Sequence, residues 1–175
     1  LTLYTFSSEN WKRPKNEIFF LFNLLEKFLI KKISKLVKKN IKLNFIGELN
    51  KLPIKLQKLI KSAEKKTVKN QLLKINIALN YGSKIELINS IKKIKSKKIK
   101  LNEKNIDNNL YTKNIPNPDL LIRTGNTHRL SNFLLWQLAY TEIFFEKKLW
   151  PDFEASDFKR ILRRFKNIKR NFGAI

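Results

Sequence analysis

Short apolar runs alternate with amphipathic stretches of helical length along the chain, and this alternation is the strongest constraint on its fold. The apolar runs end at Gly, Pro or polar residues and predict strands over 1–7, 41–46, 73–81, 119–122 and 141–145. Helical periodicity predicts helices over 15–39, 52–68, 83–98, 132–139 and 156–170. Strands separated by helices pair in parallel, so we expect an α/β fold with a mainly parallel central sheet flanked by helices.

Length and composition point to one domain. With 175 residues and 42% hydrophobic content, the chain can bury a core, and we expect a single domain over 1–175. The sequence contains neither Cys nor Met. The lack of Cys excludes disulfides and Cys-based metal or redox sites and is consistent with a cytoplasmic location. The lack of Met, together with an opening directly in a strand pattern, leads us to interpret the chain as a domain truncated at its N-terminus.

The formal net charge of +24 would ordinarily indicate a nucleic-acid or membrane-surface partner. Lys, Asn and Ile, whose codons are rich in A and T, dominate the composition, and the Lys residues are spread over helices and loops. The basic stretches lack interleaved aromatic residues and any recognised nucleic-acid module. We therefore expect no nucleic-acid partner, and only a weak attraction to anionic lipid.

The most distinctive polar segment is residues 123–132, here called the arginine loop. The chain holds 31 Lys and only 7 Arg, yet this loop contains two Arg, one Gly, the only His and no Lys. A guanidinium group can grip two anionic oxygens at once, which an ammonium group cannot. Gly and small hydroxyl residues let backbone N–H groups approach the same anion. The loop is thus a candidate oxyanion or phosphate cradle; the alternative is an ordinary polar turn.

A second polar segment, residues 7–13, follows the first predicted strand as the arginine loop follows the fourth. Ligands of parallel sheets bind outside the carboxyl ends of the strands, and both segments are predicted at such ends. This position favours a ligand-binding role for both. Taken alone, the run Ser7-Ser-Glu-Asn10 could instead be a cluster that caps a helix.

Together these segments carry a family resemblance. The first reads Phe6-Ser-Ser-Glu-Asn-Trp-Lys-Arg-Pro14, and the second reads Arg123-Thr-Gly-x-x-His-Arg-x-Ser-Asn-Phe133. The supporting segments are Asn80-Tyr-Gly82, Asp119-Leu-Leu-Ile-Arg-Thr124, Asn132-Phe-Leu-Leu-Trp-Gln-Leu-Ala-Tyr-Thr-Glu142 and Leu149-Trp-Pro-Asp-Phe153. With these segments in the right order, the chain closely resembles the cis-prenyltransferases, in particular the bacterial undecaprenyl diphosphate synthases.

The resemblance implies a Mg²⁺-dependent transferase that condenses isopentenyl diphosphate onto an allylic diphosphate, typically farnesyl diphosphate. Its product would be undecaprenyl diphosphate, the lipid carrier precursor for cell-wall synthesis. The resemblance also implies a cytoplasmic homodimer that contacts the inner face of the membrane to release its product. Such chemistry needs a clamp for two diphosphates, a divalent cation for the leaving pyrophosphate and an acceptor for the lost proton.

Individual roles follow from the same resemblance. Four residues would bind isopentenyl diphosphate: Arg123, Arg129, Leu130 and Ser131. Arg13 would hold the allylic substrate in a pocket lined by Ser7, Ser8, Glu9 and Trp11. Glu142 and His128 would help to hold Mg²⁺, although an imidazole is a poorer ligand for this ion than a carboxylate and could bond phosphate instead.

Asn10 occupies the position that the family treats as proton acceptor. Because an amide is a poor base, we expect Asn10 to orient substrate or a proton relay rather than to hold the proton. Its structural alternative is to cap the helix that begins near Pro14.

A growing isoprenoid chain also needs an apolar tunnel. The predicted helix 15–39 is apolar almost all round in its first half. It could form a tunnel wall against strands 1–6 and 73–79, or it could simply be buried core. The sequence does not separate these two interpretations.

The chain departs from the family pattern at several positions. The family's N-terminal strand and its loop with the metal-binding Asp have no counterpart, so we expect residues 1–175 alone to be inactive. The family's Arg-Thr-Gly-Gly-Glu ends here in Asn126 and Thr127, its Gly-Gly-Arg reads Gly82-Ser-Lys84, and its C-terminal Arg-x-Gly reads Asn171-Phe-Gly173. These departures keep an alternative open, namely a non-catalytic partner subunit or a decaying paralogue that retains the fold.

Overall fold

The computed structural model describes residues 1–171 and divides the chain into two compact units, residues 1–113 and residues from 114 onward. Each unit contains its own parallel sheet. Residues 172–175, which include Phe172 and Gly173 of the C-terminal motif, lie outside the described residues.

The first unit is built on a three-stranded sheet in the order β1-β3-β2. Its strands are β1 (Thr2–Ser7), β2 (Ile41–Ile46) and β3 (Leu73–Tyr81), and both outer strands run parallel to β3. β2 pairs with β3 in one continuous register that starts with Ile41 opposite Leu73. β1 pairs less regularly, with two register shifts, and ends with Ser7 opposite Tyr81.

The helices of this unit are α1 (Lys15–Lys38), α2 (Ile54–Thr67), α3 (Ser83–Ser96) and the short α4 (Glu103–Asp107). Ile18, Phe22, Leu29 and Ile33 recur at helical spacing along α1 and lie in one core cluster with side chains of the sheet and of α2. Full burial of such a side chain contributes about 1.5–3 kcal/mol to folding. The packing of α1 and α2 against the sheet therefore stabilises the strand ends that carry the first polar segment.

The outer face of α1 is also apolar. Phe19, Phe20 and Leu24 are largely exposed, whereas Ile18 and Phe22, on the inner face, are buried. The interpretation of this helix as simply buried core is therefore wrong for its outer face. Because core side chains fill the space between the inner face and the sheet, only the outer face of α1 is available as a wall for an isoprenoid chain.

The second unit contains a two-stranded parallel sheet and an α-helix: β4 (Leu120–Arg123), β5 (Glu142–Phe145) and α5 (Ala155–Lys166). The two strands pair without a shift, from Leu120 opposite Glu142 to Arg123 opposite Phe145. On α5, Ile161 is buried. The arginine loop therefore leaves the carboxyl end of a strand, as predicted.

Residues 132–139 form a series of turns, so the helix predicted there is wrong. Ser131, Asn132 and Leu134 have φ values of 50°, 61° and 46°, in the left-handed region that a right-handed helix does not use. The segment is nevertheless packed, because Phe133, Leu134 and Leu138 are buried. The apolar residues of this segment are therefore the ones that its turns bury, although their spacing resembles that of a helix.

Elsewhere the predicted element types are confirmed, and only their ends differ. α2 begins at Ile54, α3 ends at Ser96 and α5 ends at Lys166, each inside its predicted limits. α4 lies within the Asn- and Lys-rich stretch 100–114, for which no element was predicted. Within the described residues, no helix has both the length and the apolar character needed to cross a membrane.

Candidate active site

The first polar segment lies at the carboxyl end of β1. After Ser7 the chain forms a short 3-10 helix, Ser8–Lys12, here called the site turn. Ser7 lies opposite Tyr81, the last residue of the central strand β3. This segment therefore lies at the carboxyl end of a parallel strand, as predicted.

Asn10 holds the site turn together. Its side-chain Oδ1 accepts a hydrogen bond of 2.8 Å from the backbone N–H of Ser7, and its carbonyl accepts one of 3.0 Å from the N–H of Arg13. Asn10 thus caps its own turn, and the expected alternative of capping the helix near Pro14 is wrong, because that helix begins at Lys15 without a side-chain cap. With Oδ1 occupied, the Nδ2 group is the donor that Asn10 can offer to a ligand.

The indole of Trp11 is fixed on two sides. Its Nε1 donates a hydrogen bond of 2.7 Å to Asn80 Oδ1. Its ring packs edge-on against Phe6 and Phe22, with centroid distances of 5.4 and 5.6 Å. Each such pair contributes about 0.5–1.5 kcal/mol beyond the burial of its area. Trp11 therefore gives the site turn a rigid apolar side.

Asn80 links the ends of all three strands of this sheet. It is 1% exposed and has a φ of 48°, a left-handed conformation that Asn adopts more readily than most residues. Its Nδ2 donates a bond of 2.9 Å to the carbonyl of Glu48, and its own carbonyl accepts one of 3.1 Å from the N–H of Glu48. One side chain thereby ties the site turn after β1 to the turn after β2.

Gly47 passes close beneath the end of β3. Its φ is 129°, and a Cβ at this position would lie 2.1 Å from the carbonyl oxygen of Leu79. No side chain fits there unless the backbone of the central strand moves. Gly47 is therefore required for the close approach that brings Glu48 to Asn80.

A buried carboxylate anchors the last residue of β3. Glu86 accepts hydrogen bonds from the Tyr81 hydroxyl and, at 2.8 Å, from the backbone N–H of Tyr111. Burial, followed by the charge of Glu86, raises the pKa of Tyr81 above its ordinary value. Burial likewise raises the pKa of Tyr111, whose hydroxyl accepts a bond of 2.7 Å from Asn89. Both phenols stay protonated at neutral pH and serve as structural groups.

Arg13, the predicted ligand of the allylic diphosphate, follows the site turn. It is exposed and forms an ion pair with Glu17, one helical turn further along the chain. Exposed pairs of this kind contribute only about 0–1 kcal/mol, so a diphosphate could replace Glu17 at little cost. Within the site turn, the Ser8 hydroxyl donates a bond of 3.1 Å to Glu9.

In the second unit, Arg123 ends β4 and begins the arginine loop. Its Nε donates a hydrogen bond of 2.9 Å to Thr127 Oγ1. This bond fixes the plane of the guanidinium group, and its two terminal nitrogens donate to no residue in the described part of the chain. Arg123 therefore presents a planar fork of the kind that binds phosphate oxygens.

Backbone hydrogen bonds hold the arginine loop against the segment after β5. The N–H of Gly125 donates to the carbonyl of Lys148 at 2.8 Å, and that of Asn126 donates to the carbonyl of Glu146 at 3.1 Å. Asn126 has a φ of 52°, a left-handed conformation that Gly favours and Asn tolerates. Because Thr127 also supplies the partner of Arg123, the fold accommodates both departures from the family pattern in this loop.

The second half of the loop is more exposed. The carbonyl of Leu130 accepts a bond of 3.0 Å from the N–H of Phe133, which starts the turns of 132–139. Arg129 and Ser131 are exposed, and Arg129 forms no ion pair within residues 1–171. The convergence of Arg123, Arg129 and Ser131 on one anion stays a prediction.

The two predicted Mg²⁺ ligands belong to different ends of β5. Glu142 begins this strand, whereas the His128 ring lies 4.7 Å from the ring of Phe145, which ends it. A strand rises about 3.3 Å per residue, so Glu142 and Phe145 are roughly 10 Å apart along it. Residues 1–171 contain no group of three or more His, Cys, Asp or Glu side chains that could hold a metal ion. These side chains do not fit a preformed Mg²⁺ cage.

A charged network fixes α5 beside the segment after β5. Asp157 accepts bonds from Lys148 at 2.9 Å and from the backbone N–H of Glu154 at 3.0 Å, and Arg160 pairs with Glu146. The bond from Lys148 lowers the pKa of Asp157, and the bond from Arg160 lowers the pKa of Glu146. Since the carbonyls of Glu146 and Lys148 hold the arginine loop, this network also supports the loop.

The chain matches the prenyltransferase family model, described as undecaprenyl diphosphate synthase, over residues 1–173. It belongs to this family of cis-prenyltransferases. The isoprenyl transferase of Oceanobacillus iheyensis is 45% identical over 182 residues, which cover 100% of this chain and 72% of the relative. The ditrans,polycis-undecaprenyl-diphosphate synthase of Wigglesworthia glossinidia brevipalpis, named as (2E,6E)-farnesyl-diphosphate specific, is 45% identical over 100% of this chain and 70% of its own length.

Two crystal structures share the fold of this cis-prenyltransferase. A probable undecaprenyl diphosphate synthase from Campylobacter jejuni is 44% identical with a TM-score of 0.91, covering 99% of this chain and 82% of its own. Lavandulyl diphosphate synthase from Lavandula x intermedia, in complex with dimethylallyl diphosphate, is 36% identical with a TM-score of 0.93, covering 99% of this chain and 78% of its own. The predicted family and α/β fold class are thus confirmed.

Three supporting residues of this cis-prenyltransferase had no role predicted from the sequence: Gly47, Asn80 and Glu86. The sequence marks Gly47 only as the end of an apolar run and Asn80 only as part of a motif. A signal was present for Asn80, because a polar residue two positions before a Gly at the end of an apolar strand often marks a turn of the backbone. Glu86 carried no such signal, since an acidic residue in the first turn of a helix is ordinarily exposed.

Proposed function

We propose that this prenyltransferase condenses isopentenyl diphosphate onto farnesyl diphosphate to form undecaprenyl diphosphate, and thereby supplies the lipid carrier precursor for cell-wall synthesis. The observation that carries this proposal is the whole-chain identity of 45% to a synthase named as farnesyl-diphosphate specific. Each substrate joins an anionic diphosphate to an apolar tail. The enzyme therefore needs fixed cationic and hydrogen-bonding groups next to apolar surface.

In this reaction the allylic C–O bond breaks, and pyrophosphate leaves with the electron pair. A C–C bond forms between the allylic carbon and the terminal alkene carbon of isopentenyl diphosphate. The positive charge that develops on the other alkene carbon is removed when the methylene group between it and the diphosphate-bearing carbon loses one proton, which forms the new double bond. The side chains must hold both diphosphates, stabilise the leaving anion and guide the proton.

We assign the allylic substrate to the site turn. Arg13 would exchange its ion pair with Glu17 for the substrate diphosphate, with Ser7, Ser8 and Glu9 lining the pocket. Trp11, held by Asn80, would pack against the apolar part of the substrate. Asn10 would orient the substrate or a proton relay through Nδ2, because an amide does not take up a proton near neutral pH.

We assign isopentenyl diphosphate to the arginine loop. Arg123 offers the fork that its bond to Thr127 has already oriented. Arg129, which is exposed, would close on the same anion together with Ser131, and Leu130 would contact the substrate beside them. Two guanidinium groups on one diphosphate would supply the positive charge that holds this substrate in register.

Mg²⁺ enters this proposal as the counterion of a diphosphate rather than as an ion in a protein-built cage. Proteins commonly bind Mg²⁺ through one or two carboxylates together with substrate phosphates. Glu142 suits one position of such a shell, whereas His128 is better suited to donating to phosphate. When bound, the ion would supply charge stabilisation for the leaving pyrophosphate.

We further propose a cytoplasmic homodimer that touches the inner face of the membrane when it releases product. The support for a dimer is the apolar surface of the second unit, where large side chains are exposed at Leu135, Tyr140, Ile143, Leu149 and Trp150. Exposed apolar surface of this kind commonly marks an interface.

Arg129→Lys in the full-length enzyme tests the diphosphate clamp. Lys keeps the charge but lacks the bidentate fork, so we expect the KM for isopentenyl diphosphate to rise about 10-fold, which corresponds to about 1.4 kcal/mol. The KM for farnesyl diphosphate and the thermal midpoint should not change. Arg163→Lys, at an exposed position of α5, is the matched control and should change none of these values. An unchanged KM in Arg129→Lys removes Arg129 from the clamp.

Turnover separates the enzyme from the alternative of a non-catalytic subunit. We expect the full-length protein to elongate farnesyl diphosphate and residues 1–175 alone to be inactive, because the family's Asp-containing loop has no counterpart in them. Diphosphate binding without turnover by the full-length protein would favour the non-catalytic subunit.

A further inference from the structure

Two segments of the first unit are unusually basic. Residues 35–42 and 65–74 contain Lys35, Lys38, Lys39, Lys42, Lys65, Lys66, Lys69 and Lys74 and no acidic residue. The sequence had suggested that the Lys residues are spread over the chain, but the fold gathers these eight at the amino ends of β2 and β3. We call this surface the basal patch, defined as residues 35–42 and 65–74.

Hydrogen bonds join the two segments of the basal patch. Asn40 accepts the N–H of Gln71 through Oδ1 at 2.8 Å and the N–H of Leu72 through its carbonyl at 3.0 Å. Asn70 donates through Nδ2 to the carbonyl of Ile41 at 2.8 Å. A surface depression of about 550 Å³ lies between the segments, lined by Lys38, Lys39, Asn40, Ile41, Leu72 and Leu73. The patch is therefore one continuous surface with a fixed backbone.

Aliphatic side chains project from this basic surface. Leu72 is 76% exposed and Val68 is 54% exposed, and Val37 and Leu73 are also exposed. Single exposed aliphatic residues are common on soluble proteins, but here four of them lie within the two Lys-rich segments. Apolar groups framed by cations are typical of surfaces that insert into the headgroup region of a bilayer.

Fold stability alone does not account for the charges. Lys35, Lys38, Lys65 and Lys66 lie in the last turns of α1 and α2, where a cation interacts favourably with the helix dipole. Lys42 and Lys74 have no such role, because they lie on strands rather than at a helix end. They are direct neighbours across β2 and β3. Like charges in that arrangement are destabilising unless an external anion lies near them.

We propose that the basal patch docks on an anionic lipid bilayer, with Leu72 and Val68 inserted among the headgroups and the Lys side chains against the lipid charge. The proposal rests on the proposed function in one respect, since a lipid product gives the protein a reason to reach a membrane. The patch holds no Arg and no aromatic residue, which are the groups that nucleic acids engage by stacking and bidentate contacts. It lies at the strand ends opposite the site turn, so docking would leave the site turn accessible.

Vesicle co-sedimentation of the full-length protein tests the proposal. We expect binding to vesicles of phosphatidylcholine with 30 mol% phosphatidylglycerol, weak binding to pure phosphatidylcholine, and a decline as salt is raised. Leu72→Ser combined with Val68→Ser should lower the partition coefficient at least 10-fold. The triple change of Lys38, Lys39 and Lys69 to Gln should do the same.

Matched controls lie on the other helices of the first unit. Ile88→Ser removes a comparably exposed aliphatic side chain from α3, and the triple change of Lys92, Lys95 and Lys104 to Gln removes the same charge. Both controls should bind vesicles like the unchanged protein, and circular dichroism should show that every variant folds. Equal losses in control and patch variants would overturn the proposal, as would tighter binding to a duplex oligonucleotide than to the anionic vesicles.

Activity in detergent solution distinguishes this proposal from the proposed function. The patch variants should elongate farnesyl diphosphate there as fast as the unchanged enzyme, because the site turn is intact. Vesicle binding without any turnover would refute the proposed function and leave the docking surface standing. If the enzyme turns over and the patch variants bind vesicles as well as the unchanged protein, the docking surface would be refuted.

Discussion

The indole Nε1 of Trp11 lies 2.7 Å from the side-chain oxygen of Asn80, and this bond joins the site turn to the end of the central strand. Asn80 is buried and also donates to the carbonyl of Glu48. A donor or acceptor left unpaired in such a place costs about 1–3 kcal/mol. The position of the site turn therefore depends on a side chain that has no predicted contact with substrate.

Asn80→Gly tests this dependence. Gly keeps the left-handed backbone but removes both side-chain bonds, so we expect unfolding free energy to fall by about 1–3 kcal/mol and the KM for the allylic substrate to rise several-fold. Asn40→Gly is the matched control, because Asn40 has a φ of 55° and its Oδ1 accepts a backbone N–H at the opposite end of the sheet. It should lower stability without moving that KM. If the KM for the allylic substrate is unchanged in Asn80→Gly, Trp11 does not need its hydrogen bond to Asn80 to bind that substrate.

Gly47→Ala should be strongly destabilising. The added Cβ would lie 2.1 Å from the carbonyl of Leu79, so the central strand or the turn must shift, and we expect a loss of about 3–4 kcal/mol in urea unfolding. Gly125→Ala is the comparison. Its φ of 90° is also unfavourable for Ala, but its Cβ would meet only a Leu149 side-chain atom at 3.9 Å, so we expect a smaller loss of about 1–2 kcal/mol. Similar losses would show that backbone conformation, rather than the clash, dominates at Gly47.

Acidification should weaken the ion pairs that hold α5 beside the segment after β5. The folded state lowers the pKa of Glu146 and of Asp157 below their ordinary values of 4.5 and 3.8. Their stabilising contribution is therefore complete above those values and is lost as the pH falls through the lower, folded-state pKa values. Asp157→Asn should be less stable than the unchanged protein at neutral pH, and the difference should shrink on acidification. Denaturation midpoints across the pH range measure this; the control Glu103→Gln should run parallel to the unchanged protein.

Ile143→Lys should weaken the proposed homodimer. Ile143 lies on β5 in the apolar surface of the second unit, and a buried unpaired ammonium group is costly at any interface. Sedimentation velocity at micromolar concentration should show a dimer for the full-length protein and a monomer for the variant. Ile88→Lys, at a similarly exposed position of α3, should remain dimeric. A stable monomer before any substitution would refute the dimer itself.

Much of the fold was predictable because strands and helices leave different periodic patterns in the sequence. The strands over 41–46 and 73–81 were predicted at their observed limits, since apolar runs there end at a Gly or a polar residue. The helix predicted over 132–139 is wrong for a physical reason. The apolar spacing of this segment suits a helix, but three left-handed residues from Ser131 to Leu134 fold it into turns, and only tertiary packing selects that conformation.

The candidate site likewise contains some features that the sequence predicts and others that it does not. Polar residues at strand ends were predictable, because parallel sheets bind ligands there. The residues that hold them were not, since the bond from Trp11 to Asn80 and the approach of Gly47 to Leu79 join positions far apart in the sequence. Residue spacing also could not predict that Glu142 begins β5 whereas His128 lies beside Phe145 at its other end.

The pairing of β1 with β3 sets the order in which the first unit can assemble. Thr2 and Asn76, which meet across these strands, are 74 residues apart, whereas Asn44 and Asn76, which meet across β2 and β3, are 32 apart. Closing the longer loop costs roughly 0.7 kcal/mol more chain entropy, so we expect β2 and β3 to pair first and β1 to dock last. Pulse-labelled hydrogen exchange should then show protection on β2 before β1, and the reverse order would contradict this. A nascent or partly refolded chain would thus hold most of its sheet while the site turn is still unformed, so binding of the allylic substrate would report completion of folding.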